Sequence, residues 1–175
     1  MQYEEKEMID IVDINGNPTG RTFMRGEVLQ PGEFFRASMV CIFNREGKLL
    51  IQKRKKDKKN WPGLWDVSAG GAIIAGETPQ EAAQREVREE LGIDLDLLQS
   101  RPKLVTTFTT GFTYTFVVTA DFRLEDLTLQ KEEVEEAAFA DLEQICRMME
   151  DGSFIRYRKP WLDYIFEVSD GNYIF

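Results

Sequence analysis

The sequence predicts a single α+β domain in which helices flank a mixed β-sheet. Its 175 residues fall within the size of one ordinary domain and are enough for a hydrophobic core. Segments rich in Thr, Val and aromatic residues outnumber the helical segments, and short turns join them as antiparallel hairpins. Three other segments carry helix start or stop signals. Hairpins combined with flanking helices are typical of the α+β class.

Five segments are predicted to be strands, and tight turns separate them. They are residues 8–14, 37–43, 48–54, 103–110 and 113–122. The first runs into the turn Asn-Gly-Asn-Pro, and the next two are joined by Asn-Arg-Glu-Gly. Residues 27–34 contain Pro31 and Gly32 and are predicted to be a loop. We expect one domain over residues 1–175, in which about the first 35 residues form an extra strand or hairpin that packs on the core.

The first predicted helix has signals at both ends. Thr78 is a typical N-cap, Pro79 suits the first helical position, and Glu81 completes a capping box. The helix is predicted to run to Leu91, and Gly92 supplies the stop signal.

Two further helices are predicted near the end of the chain. Asp141 caps residues 141–150, with Gln144 at the reciprocal position and Gly152 just beyond the end. A final short helix is predicted to begin at Pro160.

The composition excludes several classes of function. A net charge of −9 argues against nonspecific binding to duplex nucleic acid, although a bound divalent cation could still recruit a phosphorylated substrate. The absence of His excludes imidazole catalysis and zinc–histidine sites. No apolar run is long enough to span a membrane, and the acidic N-terminus lacks a signal-peptide core. With two widely spaced cysteines, Cys41 and Cys146, a cytoplasmic protein with reduced thiols is expected.

The first helix places three carboxylates beside its apolar stripe. At 100° per residue, Glu86, Glu89 and Glu90 lie next to the stripe formed by Ala83, Val87 and Leu91. Like charges four residues apart repel, and partial burial strengthens the repulsion. A multivalent cation would remove this cost, and Mg²⁺ prefers oxygen ligands. The alternative is a solvated helix face in which Arg85 and Glu89 form a weak ion pair.

Residues 71–93 fit the pattern G-x5-E-x7-R-E-U-x-E-E-x-G-U, where U is a bulky aliphatic residue. The fixed positions are Gly71, Glu77, Arg85, Glu86, Glu89, Glu90 and Gly92. This pattern resembles the signature of the Nudix family. The resemblance implies an α/β/α sandwich that carries a loop–helix–loop metal site.

The resemblance also implies a role for each signature residue. Glu86, Glu89 and Glu90 would hold Mg²⁺ or Mn²⁺ together with the backbone carbonyl of Gly71. Arg85 would orient these acids, and Glu77 would support the helix structurally.

The implied reaction is attack by water on a phosphorus atom of a diphosphate that carries some other group, X. Glu86 or Glu89 could accept the proton, and so could a glutamate from a later acidic loop. That loop, at residues 130–139, offers Glu132, Glu133, Glu135 and Glu136, of which Glu133 is chosen first. The catalytic group is therefore expected to comprise Glu86, Glu89, Arg85 and Glu133.

Two segments could bind the substrate. Residues 53–59 are all charged, with Asp57 the one acid among them, so they form either an electropositive rim for a polyphosphate or a solvated loop. Arg54 is the best candidate there, because its planar guanidinium suits phosphate oxygens. Phe35 and Arg36 precede the first core strand and could form part of a wall for X.

The Trp-Pro-Gly-x-Trp stretch at residues 61–65 resembles the Nudix branch that includes isopentenyl-diphosphate isomerase. That isomerase carries Cys and His where this chain has Gly70 and Ala72. The substitutions disfavour isomerase chemistry, and the intact carboxylates disfavour a non-catalytic nucleotide-binding module; both alternatives stay open. The expected partner is a small-molecule diphosphate, and a homodimer is an open expectation.

Overall fold

The computed structural model describes residues 7–169, which contain nine strands and three α-helices. The strands are β1 (Met8–Val12), β2 (Pro18–Met24), β3 (Phe35–Phe43), β4 (Leu49–Arg54), β5 (Trp65–Asp66), β6 (Ala69–Ala72), β7 (Leu104–Phe108), β8 (Gly111–Thr119) and β9 (Val134–Ala140). The helices are α1 (Pro79–Leu91), α2 (Leu142–Asp151) and α3 (Lys159–Ser169). The predicted domain limits at residues 1 and 175 lie outside the described residues.

Seven strands form one mixed sheet. Its main path runs β5-β4-β3-β8-β7, and in addition β6 pairs with β3 and β9 pairs with β4. The β3–β8 ladder is parallel, with Phe35 opposite Gly111 and Phe43 opposite Thr119. The neighbouring β7–β8 pair is antiparallel, as its hairpin pattern predicts.

The sheet splits between β3 and β4. The two strands pair at Phe43 and Leu49 beside their hairpin and then diverge. Beyond that point β3 pairs with β6, whereas β4 pairs with β5 and β9. Ser68 spans the gap: its Oγ accepts a hydrogen bond from Ile42 N at 2.8 Å and donates one to Leu50 O at 2.6 Å. The split opens space between the strands.

Each face of the sheet has its own apolar core. On one face, Val87 and Leu91 of α1 pack against Val40, Ile42 and Phe116. On the other face, α2 and α3 pack against alternate residues of the same strands. The helices contribute Ile145, Leu162 and Ile165, and the strands contribute Cys41, Phe43 and Val117. Because successive strand residues point to opposite faces, β3 and β8 supply both cores.

The N-terminal strands form a separate two-stranded sheet that docks on the larger one. Two backbone hydrogen bonds join it to the residue before β3: Val12 N donates to Phe34 O at 2.8 Å, and Phe34 N donates to Val12 O at 3.1 Å. A further bond from Ala75 N to Met8 O, 2.8 Å long, ties β1 to the loop that leads into α1. The hairpin therefore supports the segment between β6 and α1.

The ends of the first helix agree with the sequence prediction. Thr78 Oγ1 accepts from Glu81 N, and the Glu81 carboxylate accepts from Thr78 N. Gly92 ends α1 in the left-handed conformation with φ of 70°. The predicted caps Asp141, Gln144 and Gly152 are likewise found at α2.

Part of the acidic segment at residues 130–139 is a strand, so its prediction as a loop is wrong beyond Glu133. Val134–Ala140 form β9, in which Glu135 and Glu136 are exposed. β9 pairs with β4, and Gln52 lies opposite Ala137, about 85 residues away in the sequence. This long-range pairing makes the Ala-rich segment a strand although its local strand propensity is weak.

Within residues 7–169, no helix combines the length and the apolar character that crossing a membrane requires.

Candidate active site

Gly71 and Glu86 are in direct contact at the start of the signature. The Glu86 carboxyl group lies on the backbone of Gly71, where a Cβ atom would be only 2.6 Å from Glu86 Cδ. Any side chain at this position would displace the carboxylate. Glycine thus lets the Glu86 carboxylate lie directly against the backbone of β6.

Arg85 organises the acidic side chains. Its Nε and Nη2 donate to the two carboxylate oxygens of Glu77 at 2.8 and 3.0 Å, and Nη2 also donates to Ala72 O at 3.1 Å. Its Nη1 donates to Glu86 Oε1 at 2.8 Å and to Glu89 Oε2 at 3.1 Å. Burial lowers the pKa of Arg85, but its bonds to Glu77 and Glu86 outweigh burial and raise it. The permanently charged guanidinium thus fixes the orientation of three carboxylates.

Glu90 is the most buried acid of the helix. Its side chain accepts a 2.6 Å hydrogen bond from Gln52 Nε2 on β4, and the residue is 5% exposed. Burial, followed by the charge of Glu86, raises its pKa well above the ordinary value. Burial likewise raises the pKa of Glu86, which is 8% exposed, against the opposing charge of Arg85. Two adjacent buried carboxylates are unfavourable in isolation.

Carboxylate oxygens are suitable ligands for a divalent cation, although in this structure the three glutamates accept hydrogen bonds from protein side chains. Among the residues that the structure describes, no three acids converge as ready-made metal ligands. Glu86 and Glu89 face Arg85, whereas Glu90 faces Gln52 and forms no ion pair within residues 7–169. A buried carboxylate without an ion pair, a second acid and the carbonyl of a neighbouring glycine form a donor set that suits Mg²⁺ or Mn²⁺.

Glu133 lies beside this cluster. Its charge contributes to the raised pKa of Glu90, and Gln130 N donates to the Glu90 carbonyl at 3.0 Å. Lys58 Nζ donates to Glu133 Oε1, and Lys55 N donates to the Glu133 carbonyl at 3.0 Å. The basic segment and the chain before β9 are therefore held together at the end of α1. Glu132, Glu135 and Glu136 are exposed.

The three predicted substrate residues are placed differently. Arg54 donates from Nε to Asn60 O at 3.2 Å, and its Nη1 is 3.8 Å from Asp66 Oδ2, so the protein itself engages this guanidinium. Phe35 packs edge-on against other aromatic rings, whereas Arg36 Nη2 lies 3.6 Å from Asp10 Oδ2. As neighbours on β3, Phe35 and Arg36 point to opposite faces and do not share one wall. Their roles in substrate binding stay predictions.

A cavity of about 150 Å³ lies in the split of the sheet, next to the carboxylates. It is lined by Ala37, Ser38, Met39, Gln52, Asp66, Val67, Ala69, Gly70, Gly71 and Thr113. Gly71 and Gln52 belong both to this lining and to the surroundings of Glu86 and Glu90. The cavity therefore adjoins the carboxylates of α1.

The isomerase alternative meets a steric obstacle at Gly70. A Cβ atom there would lie 2.8 Å from the backbone oxygen of Ser38 and 3.3 Å from Met39 Cα. A cysteine at position 70 would force the backbones of β3 and β6 apart. The local packing of β3 against β6 therefore disfavours the isomerase cysteine at position 70, in agreement with the sequence.

Four residues near the site were not singled out by the sequence: Gln52, Lys58, Asp66 and Arg25. Gln52 has a detectable signal, because a polar residue follows the apolar run Leu-Leu-Ile on a buried strand. Lys58 is one of several equivalent lysines in the basic run. Arg25, whose charge opposes the rise in the pKa of Glu86, comes from the far end of the N-terminal hairpin and has no local signal.

Comparison with known proteins identifies the family. The NUDIX domain family matches residues 33–165. A Nudix hydrolase of Listeria monocytogenes is 50% identical over 148 residues, which are 85% of this chain and 88% of that protein. An isopentenyl-diphosphate Delta-isomerase of Corynebacterium diphtheriae is 39% identical over 93 residues, or 53% of this chain and 50% of that protein. A crystal structure from Deinococcus radiodurans has a TM-score of 0.75 at 23% identity, covering 92% of this chain and 98% of that chain.

These similarities confirm the predicted α+β fold, the Nudix resemblance and its isomerase-like branch. The Deinococcus structure supports the fold alone, because its sequence identity is low. The family match and the Listeria relative cover most of the chain and include the whole signature helix. The chain therefore belongs to the Nudix family and is a Nudix hydrolase.

Proposed function

We propose that this enzyme hydrolyses a diphosphate bond in a small-molecule substrate, such as a nucleoside diphosphate linked to a group X, with Mg²⁺ or Mn²⁺ as its cofactor. The observation that carries the proposal is the pair of buried carboxylates, Glu86 and Glu90, beside the bare backbone of Gly71. Burying such a pair costs free energy, and groups perturbed in this way cluster at functional sites.

Glu86, Glu89, Glu90 and the carbonyl of Gly71 would hold the cation. When bound, a divalent cation neutralises phosphate charge and lowers the pKa of water. Arg85 would keep Glu86 and Glu89 in position, since one nitrogen of its guanidinium contacts both. Glu77 would in turn hold Arg85 through both of its carboxylate oxygens.

Glu133 is our choice for the base. The oxygen of a water molecule bonds to phosphorus, the bridging P–O bond breaks, and the proton of the water goes to Glu133. The products are two phosphorylated fragments. The charge of Glu133 at Glu90 and its attachment to the end of α1 support this choice over the exposed Glu135. Its partner Lys58 is a cation that an incoming phosphate could attract.

We also propose that the enzyme works in the cytoplasm. Cys41 and Cys146 are free thiols, which suits a reducing compartment such as the cytoplasm. Assembly as a homodimer stays a prediction.

The test is a screen of nucleotide sugars, dinucleoside polyphosphates, nucleoside triphosphates and prenyl diphosphates. Release of phosphate and pyrophosphate is measured with Mg²⁺, with Mn²⁺ and with EDTA. We expect turnover that EDTA abolishes. Glu133→Gln should lower kcat by roughly 10²–10⁴-fold, the usual contribution of a general base. Glu135→Gln, in the same acidic segment, is the matched control and should keep its activity. Equal activity of the two variants would remove Glu133 as the base.

A further inference from the structure

The cavity in the split of the sheet contains a buried polar atom without a partner. Ser38 is 2% exposed, and its Oγ forms no hydrogen bond within residues 7–169. Ser38 lies on β3 and lines the cavity opposite Gly70 and Gly71, with which β3 pairs. A buried hydroxyl group that stays unpaired costs free energy, so a ligand or water is expected beside it.

Asp66 is a second polar residue that lines the same cavity. Its Oδ1 accepts from Tyr157 Oη at 2.5 Å and from Val67 N at 2.8 Å. Its Oδ2 accepts no hydrogen bond from the described residues, and its nearest cation is Arg54 Nη1 at 3.8 Å. The cavity thus offers one carboxylate acceptor and one hydroxyl group, which can donate or accept.

The size and lining of the cavity restrict what can occupy it. At about 150 Å³ it is smaller than the usual site for a drug-sized ligand, so it suits a short group. No aromatic side chain is among its lining residues, so a nucleobase would find no stacking partner there. A purely aliphatic group would leave Ser38 Oγ unpaired and would offer Asp66 Oδ2 no donor, which is unfavourable.

We propose that this cavity is the subsite for the group X, and that Ser38 and Asp66 select a short hydroxylated carbon chain over an aliphatic one. The inference rests on the proposed diphosphate hydrolysis, because it assumes that the scissile phosphate lies at Glu86 and Glu90. Gly71 and Gln52 connect the two places, since each contacts a carboxylate of α1 and also lines the cavity. Hydroxyl groups of X donate to Asp66 Oδ2 and pair with Ser38 Oγ.

The test uses two substrates that differ in the hydroxyl groups of X alone: CDP-glycerol and the propyl ester of CDP. We expect the wild type to prefer CDP-glycerol in kcat/KM by about tenfold or more, because a site with unpaired polar groups rejects an analogue that lacks their partners. Ser38→Ala should reduce the preference at least about threefold, mainly through KM for CDP-glycerol. Ser100→Ala, in the loop after α1, is the matched control.

Urea unfolding separates selection from a structural role. Ser38→Ala should not lower the free energy of unfolding, because it removes a buried hydroxyl group that has no partner in the fold. Asp66→Asn is the second variant; its amide keeps an acceptor for Tyr157 and Val67, and it too should weaken the preference for CDP-glycerol.

The outcomes distinguish this proposal from the proposed function. Metal-dependent hydrolysis of both esters at equal kcat/KM would overturn the subsite and leave the hydrolase function intact. If neither ester is hydrolysed, calorimetry with CDP-glycerol and Mg²⁺ decides: binding that weakens in Ser38→Ala but not in Ser100→Ala supports the subsite. Binding that is equal in the three proteins, or absent in the wild type, overturns it, and then the cavity holds water alone.

Discussion

The two faces of the large sheet bury different kinds of side chain. The α1 face buries Glu86, Glu90, Gln52 and Ser38 in addition to its apolar residues. The opposite face packs the apolar residues of α2 and α3, such as Ile145, Leu162 and Ile165, against the same strands. The α2–α3 face therefore stabilises the fold in the ordinary way, whereas the α1 face contains groups whose burial costs free energy.

The helices on the two faces show that this difference does not come from how they begin and end. Both α1 and α2 start with a capping box and end at a left-handed glycine. What differs is the residue type placed on the buried side. Helix capping thus serves stability on both faces, and of the two helices α1 alone places buried carboxylates on its packed side.

The largest expected effect comes from neutralising one buried acid of α1. Glu90→Gln should lower kcat/KM by about 10²–10³-fold, the scale on which one group that stabilises transition-state charge contributes. The free energy of unfolding measured in EDTA should not fall, because an amide is buried more cheaply than a carboxylate. Activity assays and urea unfolding check both parts. Near-wild-type turnover at saturating Mg²⁺ would exclude Glu90 from the site.

A substitution on the α2–α3 face should lower stability and leave kcat unchanged. Leu162→Ala removes a fully buried side chain of α3 and should lower the free energy of unfolding by about 2–5 kcal/mol. Below the unfolding transition kcat should stay at the wild-type value, because α3 packs on the face away from the carboxylates. A large loss of kcat in protein that is still folded would show that the two faces are coupled.

Asp66 lies where the faces meet, since Tyr157 reaches it from the α2–α3 side. Burial raises the pKa of this carboxyl above its ordinary value of 3.8. Its favourable contribution to stability is therefore complete below about pH 4 and is lost as pH rises through the raised pKa, at no more than about 1.4 kcal/mol per pH unit. Asp66→Asn should gain stability relative to the wild type as pH rises. Urea unfolding of both proteins in EDTA at several pH values tests the sign, and a relative loss would contradict it.

The smallest effect is expected at a helix cap. Asp141→Ala removes the side chain that accepts from Gln144 N at 2.8 Å and should cost about 1 kcal/mol of stability. Thermal unfolding checks the loss, and activity at 25 °C should not change. A drop in activity without a drop in stability would assign α2 a role beyond packing.

Local signals predicted much of this fold. The caps of α1 and α2 depend on residues three positions apart, so Thr78, Glu81, Asp141 and Gln144 could be identified from spacing alone. The signature likewise brought Gly71, Arg85 and the glutamates into one region. The contact between Gly71 and Glu86 is also local, because only the short loop of residues 73–78 separates β6 from α1.

The split of the sheet could not be predicted in this way. Strands β5 and β6 have two and four residues, and β9 depends on a partner far away in the sequence. The positions of Gln52, Ser38 and Asp66 around one cavity follow from those long-range pairings. Arg54 illustrates the same limit: its residue type suits phosphate, but its placement against Asn60 and Asp66 depends on how the loop folds back.

Binding of Mn²⁺ tests the central claim most directly, because Glu86 and Glu90 are the residues proposed to hold this ion. Electron paramagnetic resonance would follow free Mn²⁺ in the presence of the methylene analogue of ADP, for the wild type, Glu86→Gln, Glu90→Gln and the exposed control Glu143→Gln on α2. The account predicts binding that is equal in the wild type and Glu143→Gln and at least about tenfold weaker in the two α1 variants. Equal binding in all four proteins, or no binding in the wild type, would contradict it.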